Sequence, residues 1–266
     1  MFKLFSSNSK KSSYGWFGNY SNWDDLTDSV GGYSEVSILE KTKDALLKVK
    51  SGNAVYERDS VVFDKVEHPF PLLTCILRSA AILQRPLHII DFGGSLGSTY
   101  FQTKDLIGAD ICASWNVVEQ PHYVTAGREH FEDERLKFYP SIDACLRVQD
   151  ADLILLSGSV QYLPEPHRFL KELVSYDFDF VIFDRTAFHY GKQDRLTLQI
   201  VPPEIYKAAY PAWFFQEDRF LTHFTADYET VCEFPSYVKG ESVIPIDHEP
   251  IGYNKGFYFV NKSQYA

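Results

Sequence analysis

His88-Ile89-Ile90-Asp91-Phe92-Gly93-Gly94-Ser95-Leu96-Gly97 is the stretch on which the reading of this chain turns. An apolar run ends in an acid, and small residues crowd the positions that follow. Apolar, β-branched residues suit a strand buried on both faces. Glycines let the backbone turn tightly and approach a ligand closely. The helix expected after such a turn offers unpaired N–H groups to a carboxylate or phosphate. A dinucleotide fingerprint, Gly-x-Gly-x-x-Gly, would need glycine at 95 and 98. The chain has Ser95 and Ser98, with glycines at 93, 94 and 97.

Outward from this stretch, short apolar runs alternate with amphipathic ones. The runs are Leu87–Asp91, Trp115–Glu119, Leu136–Phe138, Leu153–Ser157, Phe180–Asp184, Tyr228–Phe234 and Gly256–Asn261. The alternation predicts an α/β fold, a doubly wound, mostly parallel seven-stranded Rossmann-like sheet from about residue 86. Helices are expected at 34–49, where Leu39, Thr42, Leu46 and Val49 share a face, and at 70–84, which Arg85-Pro86 ends. Another follows Pro166, with Phe169, Leu170, Leu173 and Val174 as its stripe. Residues 1–85 then form an N-terminal tail with a helical and aromatic cap. Residues 86–266 form the binding domain, with a substrate-side insertion at about 186–227. Trp16, Gly18, Tyr20, Trp23 and Gly31-Gly32-Tyr33 read as loops whose aromatic rings pack elsewhere.

Composition narrows the partners. Lys+Arg is 26 against Asp+Glu 36, a formal net charge of -10, and no basic patch stands out. Such a chain repels phosphate backbones, so nucleic acid is not the expected partner. No stretch free of Asp, Glu, Lys and Arg exceeds a dozen residues, too short for a membrane-spanning helix of about 20 apolar residues. Lys3, Lys10 and Lys11 allow at most weak peripheral contact of the tail with an anionic membrane. The start lacks the long apolar run of a secretory signal. Cys75, Cys112, Cys145 and Cys232 show no paired or zinc spacing, so free thiols in a reducing, cytoplasmic setting are expected, with no metal site.

The glycines at 93, 94 and 97 behind Asp91 resemble the first motif of class I S-adenosylmethionine-dependent methyltransferases, acid-x-Gly-x-Gly-x-Gly, with Ser95 in the middle glycine position. That resemblance implies that Asp91 helps hold the cofactor's amino group, and that Gly93, Gly94, Ser95 and Gly97 cradle the ligand. Trp115-Asn116-Val117-Val118-Glu119 ends a second run in an acid, 28 residues after Asp91. A carboxylate there can accept both ribose hydroxyls, with Gln120 beside it. The segment Leu153 to Pro166 resembles the fourth-strand region of small-molecule members. By that likeness Ser157 and Gln161 belong to the cofactor set, Tyr162 faces the reacting groups, and Asp143 is an adenine contact. The whole chain is similar to an uncharacterised bacterial methyltransferase family often associated with surface-polysaccharide gene clusters. The likeness runs through Trp16 to Tyr20, Gly32-Tyr33, Glu57-Arg58-Asp59-Ser60, Asp91 to Gly97, Gln161 to Leu163 and Asp184-Arg185-Thr186. It implies methyl transfer to a sugar, sugar-nucleotide or other glycan-related small molecule, most simply at oxygen with nitrogen as the alternative, and S-adenosylhomocysteine as product. The oligomeric state is left open.

A hydroxyl acceptor needs a base for its proton. His189 is the first candidate, because imidazole titrates near neutrality, and Asp184 is the second. Arg185 is a candidate for binding an anionic acceptor. Tyr206, Tyr210, Trp213, Phe214 and Phe215 form either a sugar-stacking wall or the core of the insertion; Tyr210 and Trp213 are the substrate candidates. Tyr56 to Ser60 line the mouth if the N-terminal helices fold over it. The alternatives are a catalytically silent binding protein of the same fold and a nicotinamide-dependent sugar oxidoreductase. The serines at 95 and 98 argue against the second.

Overall fold

The computed structural model describes residues 12–27, 36–65, 67–205 and 208–265. The lysine-rich tail before residue 12, Gly31-Gly32-Tyr33, the start of the helix expected at 34, and Tyr206 lie outside the described residues. In chain order the elements are β1 (Gly15–Tyr20), α1 (Asp24–Thr27), α2 (Val36–Lys50), β2 (Tyr56–Arg58), β3 (Val61–Phe63), α3 (Phe70–Leu83), β4 (Leu87–Phe92), α4 (Ser98–Thr103) and β5 (Cys112–Val118). They continue with α5 (Pro121–His130), β6 (Leu136–Tyr139), α6 (Ile142–Leu146), β7 (Leu153–Ser157), α7 (Pro166–Ser175), β8 (Phe180–His189), β9 (Arg195–Ile200) and β10 (Ala209–Phe214). Last come α8 (Glu217–Leu221), β11 (Tyr228–Pro235), β12 (Ile244–Ile246) and β13 (Glu249–Asn261).

All seven expected runs are strands of one sheet, in the order β6-β5-β4-β7-β8-β13-β11. β4 to β8 are mutually parallel, and β13 runs antiparallel to β8 and to β11. Strand order reverses between β4 and β7. That places a crevice at the carboxyl ends of these two strands, where doubly wound sheets bind ligands. One face is covered by α2 to α5, through a core that includes Leu46, Ile76, Trp115 and Phe138. The other packs α6, α7 and α8 through Leu170, Leu173, Phe183 and Phe220. α3 is therefore one layer over the sheet. Its Cys75, Ile76 and Ala80 are buried in that core, it packs on β8, and Ser79 Oγ lies 2.9 Å from the Tyr258 hydroxyl on β13. It stops at Gln84, in the left-handed conformation, just ahead of Arg85-Pro86.

Among the described residues the sheet has 11 strands, four more than the sequence predicts. β8 and β13 run on past the parallel sheet. β13 then takes β12 on its free edge, followed by β1, β9 and β10. The chain of pairing closes: Phe215 N donates to Ala187 O (2.9 Å) and His189 N to Phe215 O (3.1 Å), bringing the end of β10 back to β8. Trp16, Ala187, Phe214, Ile244 and Ile246 fill this ring. Gly15 to Tyr20 are thus a strand and not a loop. β1 owes its existence to β9, roughly 180 residues away, and β propensity is decided by such pairing. The stretch 186–227 is the rest of β8 with β9, β10 and α8, so it builds the ring as well as bordering the crevice. The four cysteines are free, with Cys232 alone exposed. Among the described residues, no helix is long and apolar enough to cross a membrane.

Candidate functional site

The turn after β4 follows the logic read from its residues, with each position answering a different need. Gly93 and Gly97 have φ of 72° and 93°, and Ser95, between them, has φ of 56°. All three lie where a Cβ is unfavourable, by about 1–2 kcal/mol for an L-residue in the left-handed region. Ser95 accepts that conformation, and its N–H donates to Glu119 Oε1 (3.3 Å). A Cβ at Gly93 would fall 2.5 Å from Ser159 Cβ, and one at Gly97 3.1 Å from Leu136 Cδ2. These two glycines serve close packing of the turn against its neighbours. Gly94 is different: a Cβ there would lie 2.5 Å from the Asp91 carboxylate.

Asp91 is 0% exposed, near the end of β4. Trp115 Nε1 donates to its Oδ2 (3.0 Å), while Oδ1 is buried with no partner. Burial drives its carboxyl up to about 7, against the pull of the indole hydrogen bond. Glu119, at the end of β5, is also pushed up to about 7 by burial, and Gln120 N donates to its Oε2 (2.7 Å). It ties the turns after β4 and β5 together. A carboxylate has about four acceptor positions, so two amide donors leave capacity for hydroxyls.

A cavity of about 520 Å³ opens beside this turn, a size typical of small-molecule sites. Its floor is Asp91, Gly93, Gly94, Ser95, Ser157 and Gly158, at the carboxyl ends of β4 and β7. Gln161, Tyr162, Arg185, Gln199 and Tyr210 form one side. The hairpin β2–β3 brings Tyr56 to Ser60 to the other, as expected of a segment folding over the mouth. Its tight turn is set by Asp59 and Ser60, both at positive φ. Ser60 N donates to Glu57 Oε1 (2.7 Å) and Ser98 Oγ to Glu57 Oε2 (2.6 Å). Glu57 is 2% exposed, and burial pushes its carboxyl up to about 7.

Several sequence expectations are corrected here. His189 is outside the cavity lining. Its Nε2 bonds Gln193 O (2.7 Å), its Nδ1 accepts from Gly191 N (3.2 Å), and burial holds its pKa below the ordinary value. Both ring nitrogens are spent in a loop, so it is no base for this site. Asp184 is buried beneath Ser157, whose hydroxyl donates to it (3.1 Å), and burial pushes it up to about 6. It orients Ser157 and does not line the cavity. Asp143 is exposed at the start of α6 and accepts from the Tyr176 hydroxyl (3.1 Å), away from the cavity. Trp213 stacks on Trp23 and donates to Leu163 O (3.1 Å), which makes it a packing residue. Phe214 and Phe215 are likewise core, while Tyr210 meets Tyr162 edge to face in the wall. Arg185 lines the cavity but is already claimed: Glu241 grips its Nε and Nη2 (2.6–3.1 Å) and Asp59 accepts from Nη2 (2.8 Å). With two acids on one guanidinium, no anion binder is left. Gly97, Glu119 and Gln120 border the turn outside the cavity lining.

Glu241 and Asn254 enter the wall from the ring strands and the loop before them, where no local signal pointed to them. Glu57 had a signal, the compact run Glu57-Arg58-Asp59-Ser60, but nothing in spacing placed it at the crevice.

No family model and no curated protein matches the sequence. The structure is similar to the N-terminal domain of EvdMO1, solved in the presence of S-adenosylhomocysteine and D-fucose, at 11% identity over 86% of this chain and 97% of that one, TM-score 0.47. It is also similar to CalS10, an amino pentose methyltransferase from Micromonospora echinaspora (10% identity, 72% and 90% covered, TM-score 0.42). A third is an S-adenosylmethionine-dependent methyltransferase from Clostridium acetobutylicum (11%, 70% and 89%, TM-score 0.42). Residue roles in this chain rest on its own geometry.

Proposed function

We propose that the protein is an S-adenosylmethionine-dependent methyltransferase acting on a sugar or sugar-like small molecule. One observation carries the reading: Asp91 Oδ1 is a fully buried, unpartnered carboxylate oxygen on the floor of the cavity, flush against the glycine turn. A buried acid without a counter-charge is costly unless it is neutralised or met by a cation. An α-ammonium meets it. Ser157 and Gln161 bracket the far side of the floor, and Glu119, behind the lining, holds Ser95 of the turn through its backbone N–H (3.3 Å). The residues present therefore fit the group.

When bound, S-adenosylmethionine supplies a methyl group already activated on a sulfonium, so the protein's work is alignment. Asp91 holds the ammonium. The strained turn at Ser95, locked to Glu119, fixes the floor before any ligand arrives. Asp184 orients the Ser157 hydroxyl. Tyr162 donates to Gln199 Oε1 (2.9 Å), which pins the phenol beside Tyr210 as a rigid acceptor wall. Flat rings and unfilled acceptors suit a polyol with one apolar face. A hydroxyl acceptor remains the first reading, now with its base sought among cavity residues and not at His189.

Calorimetric titration with S-adenosylhomocysteine tests the reading, followed by methyl transfer from S-adenosylmethionine to a sugar panel read by mass spectrometry. Micromolar binding and a mass gain of one methyl are expected. No binding at millimolar S-adenosylhomocysteine, or tight NADH binding in its place, refutes it.

A further inference from the structure

The charges and open hydrogen-bonding atoms of the cavity point the same way. The wall holds two cations, and both are spent: Arg58 on Glu67 (2.6 Å) and Arg185 on Glu241 and Asp59. Among the described residues, neither of its two nearly fully buried carboxylates, Asp91 and Glu57, forms an ion pair; burial dominates at Glu57, with Asp59 pushing its carboxyl up and Arg58 pulling it down. Among its buried side-chain atoms left without a partner are three acceptors, Asp91 Oδ1, Gln161 Oε1 and Asn254 Oδ1. Gln161 is 4% exposed, and its amide nitrogen already donates to Arg185 O (3.2 Å), so its oxygen faces elsewhere. Such a wall seeks hydrogen-bond donors and positive charge, and it disfavours phosphate and carboxylate.

The cofactor brings one ammonium, and Asp91 at Gly94 meets it. Glu57 reaches the same turn at its other end, through Ser98. It belongs to the hairpin whose tip, Asp59, bonds Arg185 on β8, so it borders the part of the cavity running from α4 to β8. We propose that Glu57 anchors a cationic group of the acceptor, which makes the acceptor an amine-bearing polyol of the amino-sugar kind and not a phosphorylated or acidic one. The inference rests on the methyltransferase reading and names the acceptor class of the same cavity. The amine is the anchor, whichever atom of the acceptor takes the methyl. Because burial holds Glu57 up at about 7, an ammonium beside it favours loss of its proton.

Glucosamine, glucose and glucose 6-phosphate offer one ring with a cationic, a neutral and an anionic group. Each is titrated into protein saturated with S-adenosylhomocysteine at about pH 7.5, followed by saturation-transfer NMR. Glucosamine should bind about tenfold tighter than glucose, as for a charged hydrogen bond, and the phosphate should bind weakest. Glu57→Gln should lower glucosamine to the level of glucose while leaving S-adenosylhomocysteine affinity within about twofold. Ser98→Ala keeps the charge and should keep the preference. In the unsubstituted protein the preference should fade on the acid side, as pH falls below about 7 and Glu57 protonates while the amine stays charged. Equal or absent binding of glucosamine and glucose overturns the proposal. So does tighter binding of the phosphate, a preference that survives Glu57→Gln, or a Glu57→Gln effect that falls on S-adenosylhomocysteine. Failure of S-adenosylhomocysteine to bind the unsubstituted protein is a separate outcome, which refutes the methyltransferase reading and this inference with it.

Discussion

Asp91→Asn is the perturbation that separates ligand binding from folding. The Trp115 indole N–H, 3.0 Å from Oδ2, requires an acceptor. The asparagine must therefore turn its oxygen to the indole, which leaves its NH2 where Oδ1 was, facing the ligand's ammonium. One charged hydrogen bond is lost and a donor faces a donor. That costs about 1.5–3 kcal/mol of binding, or roughly 10–150-fold in Kd for S-adenosylhomocysteine. The pH dependence has a definite sign. With Asp91 held up at about 7, ligand binding favours its ionised form, so affinity in the parent protein rises as pH climbs through about 6–8. The variant lacks this contribution. Stability moves the other way. An acid whose folded pKa exceeds its ordinary 3.8 contributes stability below that value and loses it as pH rises through about 7. Thermal unfolding should thus shift in the variant's favour between pH 5 and 8. Calorimetric Kd values and melting curves at several pH values read both effects. A variant that binds S-adenosylhomocysteine within twofold of the parent, with the same pH profile, refutes Asp91 as the ammonium's partner.

The remaining predictions concern the frame of the site. Gly94→Ala pushes a methyl into the Asp91 carboxylate and should cost about 1–3 kcal/mol of stability together with ligand affinity; unchanged urea unfolding and unchanged Kd would show that the carboxylate moves aside freely. Arg185→Ala leaves Glu241 without its counter-ion and should cost on the order of 3 kcal/mol near neutrality. Arg185 holds Glu241 below its ordinary pKa, so that loss should shrink as pH falls through the acid range, and a pH-independent deficit would contradict it. His189→Ala should leave S-adenosylhomocysteine affinity and turnover near parental values while lowering the melting temperature. A selective fall in kcat would restore His189 to the chemistry.

The parallel sheet was legible because its information is local. Leu87 to Phe92, Cys112 to Val118 and Leu153 to Ser157 are apolar on both sides, and each is followed by a turn and an amphipathic helix. The glycine turn was legible for the same reason, since positive φ at 93 and 97 is written into residue type. The acids at strand ends followed from strand boundaries. His189 was misjudged because the loop it enters supplies acceptor and donor within four residues, which composition does not reveal. Trp213 was misjudged because aromatic residues suit a core and a sugar wall equally.

By itself, then, the sequence determined the strand–turn–helix units, their parallel order and the crevice at the strand ends, because periodicity, glycine conformation and burial act over a few residues. Only the tertiary structure decided how the crevice is closed. Pairing of β1 with β9, about 180 residues apart, built the ring. Asp59 and Glu241, 126 and 56 residues from Arg185, cancelled its charge. The β2–β3 hairpin set Glu57 against Ser98. Long-range pairing leaves no pattern in the neighbouring residues, so the charge of the cavity, and with it the kind of acceptor it admits, appears only when distant segments meet.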